Sequence, residues 1–273
     1  MGEYKTGTRT IIAVIFLPLL ILICYYGRIP FLLIVLIIGL FSYYEFTTLA
    51  NKKKSNPNLI LGLISVFIII SNAYFKFVGY FHLLIIITAA LSLVELFRNK
   101  NSAISNLGST FLGILYIGLF SAALVSIREF YSGSPLLYNE GGYIILSMLA
   151  SIWICDTAAF FIGIAFGKHK IFPRVSPKKS WEGSIAGFIF AVLTMIAARE
   201  ILIDFISMRD AVFMGGLIGI FGQAGDFVES LFKRDAGVKD SSNLLPGHGG
   251  MFDRFDSLLM TAPITYLYLL FFT

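Results

Sequence analysis

The sequence predicts an all-α fold, a polytopic integral membrane bundle of about nine transmembrane helices with its N-terminus cytoplasmic and its C-terminus on the opposite side. Three observations predict it. Of the 273 residues 57% are hydrophobic and only 14% charged, where a soluble domain carries about a quarter charged. Apolar runs near 20 residues recur almost without pause, the length that crosses a bilayer as a helix. Finally, Lys and Arg sort by side. Sixteen fall at the N-terminus or after the second, fourth, sixth and eighth spans, and only Arg28, Lys76, Arg128 and Arg209 fall on the other face. An excess of basic residues marks cytoplasmic loops, and the alternation closes only with an odd number of spans.

In order, the spans are 11–26, 29–49, 58–75, 77–97, 107–127, 143–165, 184–203, 211–231 and 256–272. The first ends at Arg28 and Pro30 without a small-residue cleavage site, so it reads as a retained helix. The third and fourth nearly fuse around Phe75-Lys76-Phe77. Cys24 and Cys155 both lie in apolar runs, which argues against a disulfide framework and against a cysteine metal site. The net charge of +5 is mostly a topology signal and calls for no nucleic acid, although a basic face does attract anionic lipid and nucleotides. Small-xxx-small pairs at Gly163/Gly167, Gly183/Gly187 and Gly215/Gly219 permit close helix contact. They read as packing within one subunit ahead of a homodimer seam.

Two regions follow. Residues 1–127 hold transmembrane helices with short loops, suited to packing or oligomerisation. Residues 128–273 hold the catalytic features, with long cytoplasmic loops at 167–183 and 231–256. Ionisable groups inside spans are expensive and face a bundle interior or a cavity. Glu45, Glu95 and Glu200 lie close to span ends and read as interfacial. Asp156 sits near the middle of the sixth span, where a structural and a cavity-lining role weigh about equally.

The densest polar segment is Ser230–Asp256. It gathers Lys233, Arg234, Lys239, Asp240, His248, Asp253, Arg254 and Asp256 with four glycines. Just before it, Asp226, Glu229, Ser230 and Lys233 fall on one helical stripe. Asp226 from the eighth span and Asp253 from the ninth are the carboxylates expected to hold a divalent cation, with Asp256 a third candidate. Magnesium takes hard oxygen ligands plus substrate phosphate, and one or two ions fit such a set. A second, monovalent cation is also compatible. The turn at His248-Gly249-Gly250 offers bare amides to a phosphate. The loop Ser176-Pro-Lys178-Lys179-Ser180 offers two cations before a helix N-terminus. Neither a Walker glycine pattern nor a dinucleotide fingerprint is present.

The pattern Ser230-x-x-Lys-Arg-x4-Lys239-Asp240-x5-Pro-Gly-His-Gly-Gly-x-x-Asp253-Arg254-Phe-Asp256 resembles the signature of the phosphatidate cytidylyltransferases (CDP-diacylglycerol synthases). Ser176-Pro-Lys-Lys-Ser-x-Glu-Gly183 is similar to a second motif of that family. The resemblance implies a magnesium-dependent transfer of a cytidylyl group from CTP to phosphatidate in the cell membrane, with the active site on the cytoplasmic side. It implies catalytic roles for Asp226, Lys233, Arg234, Lys239, Asp240, His248 and Asp253. Substrate contacts are expected from Asp156, Lys178, Lys179, Ser180, Ser230, Gly249, Gly250 and Arg254. The rival readings are a CTP-dependent lipid-alcohol kinase and, more remotely, an ion-coupled transporter. Against transport, the polar residues gather at one end of the spans and no internal repeat is visible.

Overall fold

The computed structural model describes residues 17–242 and 249–272. Among them the regular structure is helical: α1 (Leu17–Tyr26), α2 (Arg28–Lys52), α3 (Leu59–Phe75), α4 (Tyr80–Arg98), α5 (Ala103–Arg128), α6 (Tyr138–Phe166), α7 (Trp181–Ile201), α8 (Met208–Asp235) and α9 (Phe252–Phe272). All but α1 and α3 are long and apolar enough to cross a membrane. The expected spans correspond one to one with these helices, except that the first expected span begins outside the described residues. Helix α3, at 17 residues, falls just below the length that fills a bilayer core.

Helices α8 and α9 overrun the apolar runs that announced them. The eighth span, expected at 211–231, extends as α8 through Lys233 and Arg234 to Asp235, and the ninth begins at Phe252 instead of 256. Both ends of the polar Ser230–Asp256 segment are therefore helix. Basic residues in the last turn of α8 and Asp253 in the first turn of α9 complement the helix dipoles.

The chain divides into two compact units, one comprising residues up to Ser126 with Phe232–Phe255, the other Ile127–Leu231 with the residues from Asp256.

In the first unit Val66, Ile69, Ile70, Ile114 and Ile117 are fully enclosed. Within α5, Ile114–Leu119 forms a π-helical turn, a wider winding that re-aims side chains. Tyr116 in this turn meets Phe232 and Phe252 edge-on at 5.8 and 6.1 Å, and Phe46 meets Phe232 at 5.6 Å. Such aromatic contacts stabilise beyond burial by about 1 kcal/mol each, and here they seat both ends of the polar segment.

Glu45 and Glu95 are not interfacial, as the sequence suggested, but buried, at 1% and 7% exposure. Glu95 accepts from Asn106 Nδ2 (2.6 Å) and pairs with Arg98 (2.7 Å). The reason lies in partners outside the local sequence: a buried carboxylate persists when donors satisfy it. Glu200 is half exposed and paired with Arg199, near a helix end as expected.

In the second unit α6 and α7 pack through glycine. A Cβ on Gly183 would lie 2.6 Å from the Ala159 carbonyl, and one on Gly187 would lie 2.9 Å from that of Cys155. The small-residue pair therefore serves contact within one chain. The link between α6 and α7 is pinned by a bridge between Lys170 and Ser180. Ser180 caps α7, its hydroxyl accepting from Gly183 N at 3.3 Å.

Candidate active site

Three carboxylates meet in the second unit. Asp226 and Glu229 lie one turn apart on α8, and Asp256 lies in the second turn of α9; each places an oxygen within 4.8 Å of the others. Gly225 makes the approach possible, since a Cβ there would lie 2.5 Å from the Asp256 carbonyl. Lys179, from the turn before α7, forms an ion pair with Asp226, and its ammonium sits over the Phe227 ring at 4.6 Å. Asp156 on α6 lies within electrostatic reach of Lys179 and Asp226. Ser230 Oγ donates to Asp226 at 3.3 Å.

This gathering is electrostatically costly. Like charges crowded where water is scarce repel strongly, and Lys179 places a cation against Asp226. The donor set fits a hard divalent ion, because it is made of carboxylate oxygens without a sulfur or imidazole.

Lys233, Arg234, Lys239, Asp240, Gly249, Gly250, Asp253 and Arg254 belong to the first unit, whereas Lys178 and Ser180 belong to the second. Lys233 Nζ pairs with Asp253 Oδ1 at 2.8 Å, and both side chains are largely enclosed. Asp253 Oδ2 accepts from Ser241 N (3.0 Å), Ser241 Oγ (3.0 Å) and Gly250 N (2.9 Å). The Gly250 amide is therefore directed at Asp253. Gly249 has φ +83°, a conformation that favours glycine. Arg234 donates to the Val238 carbonyl at 2.9 Å and closes the exit from α8. Lys239 and Asp240 line a cavity of about 420 Å³ with Tyr44, Thr48 and Lys52 of α2. Lys178 and Arg254 are exposed. His248 lies outside the described residues.

Glu229, on the polar stripe but outside the expected metal carboxylates Asp226, Asp253 and Asp256, joins the cluster, and its i, i+3 spacing from Asp226 is the signal in the sequence. Lys52 was read as topology alone, and no local signal marked it as a cavity wall.

The profile of the cytidylyltransferase family matches residues 7–272, nearly the whole chain. The chain belongs to the cytidylyltransferase family. Among curated relatives, a phosphatidate cytidylyltransferase of Thermotoga maritima is 30% identical over 98% of this chain and 96% of its own length. Enzymes of the same name from Bacillus subtilis and Staphylococcus aureus are 29% and 32% identical. The first covers 97% of both chains, the second 98% of this chain and 99% of its own. Every motif described above therefore falls inside the span shared with cytidylyltransferases.

Proposed function

We propose that this membrane cytidylyltransferase converts CTP and phosphatidate to CDP-diacylglycerol and pyrophosphate, for phospholipid biosynthesis. The observation that carries the proposal is the Asp226–Glu229–Asp256 cluster with Lys179, within a chain that matches its relatives end to end. A phosphate-monoester oxygen of phosphatidate attacks the α-phosphorus of CTP. The new P–O bond forms as the bond from the α-phosphorus to the bridging oxygen breaks, and pyrophosphate leaves with that electron pair. The nucleophile is already anionic, so orientation and charge neutralisation matter more than proton removal.

Asp226, Glu229 and Asp256 would hold Mg²⁺, with Asp253 as the further ligand the sequence motif assigns. When bound, the ion neutralises charge on the nucleotide phosphates. A second cation, monovalent or divalent, is compatible with this many carboxylates. Lys233, Arg234, Lys239 and Asp240 are assigned to the triphosphate end, together with His248 and the glycine turn. Lys178, Lys179 and Arg254 receive the substrate phosphates, Ser180 and Ser230 hold the local geometry, and Asp156 lies on the lipid side. The basic bias of the even-numbered connections puts these groups on the cytoplasmic face of the cell membrane. Neither nucleic acid nor a second copy of the chain is needed.

Purified protein in detergent, given CTP, phosphatidate and Mg²⁺, should release pyrophosphate, and EDTA should abolish the release. CTP labelled on its α-phosphate should label the lipid. Transfer of the γ-label instead would establish a kinase, and absence of turnover without a membrane gradient would return attention to transport.

A further inference from the structure

Glu45 belongs to α2, nearly 200 residues before the catalytic motif, yet its carboxylate is consumed by that motif. Oε1 accepts from Ser242 Oγ at 2.6 Å and from Met251 N at 2.9 Å. Oε2 accepts from Ser241 Oγ at 2.9 Å and from Phe252 N at 2.8 Å. Each oxygen thus takes one hydroxyl and one backbone amide, the first from the start of the segment 241–252 and the second from its end. Two of the amides that a helix N-terminus leaves without an intrahelical partner are satisfied by a carboxylate from another helix.

Gly250 supplies a second observation. A Cβ there would collide with both Glu45 Oε2 and Ser241 Oγ. One glycine of the His-Gly-Gly turn is therefore required by the Glu45 carboxylate, whatever it offers a substrate. Ser241 in turn donates its amide to Asp253 Oδ2, and its single hydroxyl proton lies between Glu45 Oε2 and Asp253 Oδ2, at 2.9 and 3.0 Å.

We infer that Glu45 is a positioning residue for the transferase, clamping Ser241–Ser242 to Met251–Phe252 so that Asp253 and Lys233 are fixed before substrate arrives. The inference rests on the proposed transferase reading. It explains why a carboxylate is buried here at the cost of desolvation, and it assigns the N-terminal helices a part in the chemistry. A carboxamide cannot substitute. With both oxygens committed to backbone N–H donors, Glu45→Gln must turn its NH₂ toward Met251 N or Phe252 N.

The test compares full-length Glu45→Gln and Gly250→Ala with Glu95→Gln, a buried carboxylate of the same unit that bonds only Asn106 and Arg98 in the described geometry. Two readouts are taken: kcat and the half-saturating Mg²⁺ concentration, and hydrogen exchange at amides 241–242 and 249–252. We expect Glu45→Gln to lower kcat by about 10–100-fold, the range for outer residues that orient a metal or catalytic group. The Mg²⁺ requirement should rise, local exchange should speed up, and Gly250→Ala should behave alike while Glu95→Gln keeps wild-type kcat. Wild-type kcat and Mg²⁺ response in Glu45→Gln would overturn the inference. So would an equal kcat loss in Glu95→Gln, which would make the effect one of general stability. If the wild-type chain itself shows no turnover, the transferase reading fails; unchanged exchange in Glu45→Gln would then overturn the clamp as well.

Discussion

Two groups of acids in this protein obey opposite rules. Glu45 has every acceptor position near it matched by a donor, so its charge is spread over two amides and two hydroxyls. At Asp226, Glu229 and Asp256, carboxylates face one another, with Lys179 on Asp226. The first arrangement stabilises a fold, since hydrogen bonds to charged groups contribute about 1.5–3 kcal/mol each. The second opposes folding through repulsion and keeps its negative potential available. Groups held against their own electrostatic preference are where function is to be sought.

Substitutions can break this contrast. The largest effect is expected for Asp226→Asn and Asp256→Asn. Turnover should fall by roughly 10³-fold, comparable with loss of one strong transition-state contact, while thermal stability holds or rises by about 2 °C as repulsion is relieved. Pyrophosphate release and a detergent melting curve measure the two together, and a stability loss in step with activity would erase the distinction. Glu229→Gln should follow with about a 10²-fold loss and a higher Mg²⁺ requirement, read from a metal titration. Lys179→Met should cost about 10-fold in kcat/KM. Its sharper signature is a lowered apparent affinity for CTP, because an ammonium that neutralises phosphate is gone. Smallest in turnover is Glu95→Gln, which should leave kcat within twofold while lowering stability by about 2 kcal/mol, since the carboxamide keeps one acceptor oxygen and turns an NH₂ toward either Arg98 or Asn106.

The same contrast explains what the sequence discloses. Helices α2 to α9 are legible because crossing a bilayer demands long apolar runs, a local property. The polar site was legible around Asp226 and Asp256 because their neighbours on the chain carry the same chemistry. The continuation of α8 to Lys233 was legible in the Asp226–Glu229–Ser230–Lys233 stripe, but the start of α9 at Phe252 was not, since hydropathy stops where lipid stops and helix geometry does not. Glu45 was illegible for a stronger reason. Its nearest partner in sequence, Ser241, is 196 positions away, and only tertiary structure turns an acid near a span end into a clamp. Glu95 misled similarly, since the Asn106 amide that satisfies it comes from the following helix.

The length of α8 has a kinetic consequence. Its 28 residues extend about 42 Å at 1.5 Å per residue, well beyond a hydrocarbon core of about 30 Å. Asp226 is the nineteenth of them, about 27 Å along, close to the distance at which such a helix emerges among lipid phosphates. A phospholipid substrate would therefore present its phosphate without leaving its leaflet, and it would be encountered by diffusion in two dimensions. Turnover in mixed micelles should then track the mole fraction of phosphatidate in the surface, and diluting the whole suspension at fixed composition should leave the rate per enzyme unchanged.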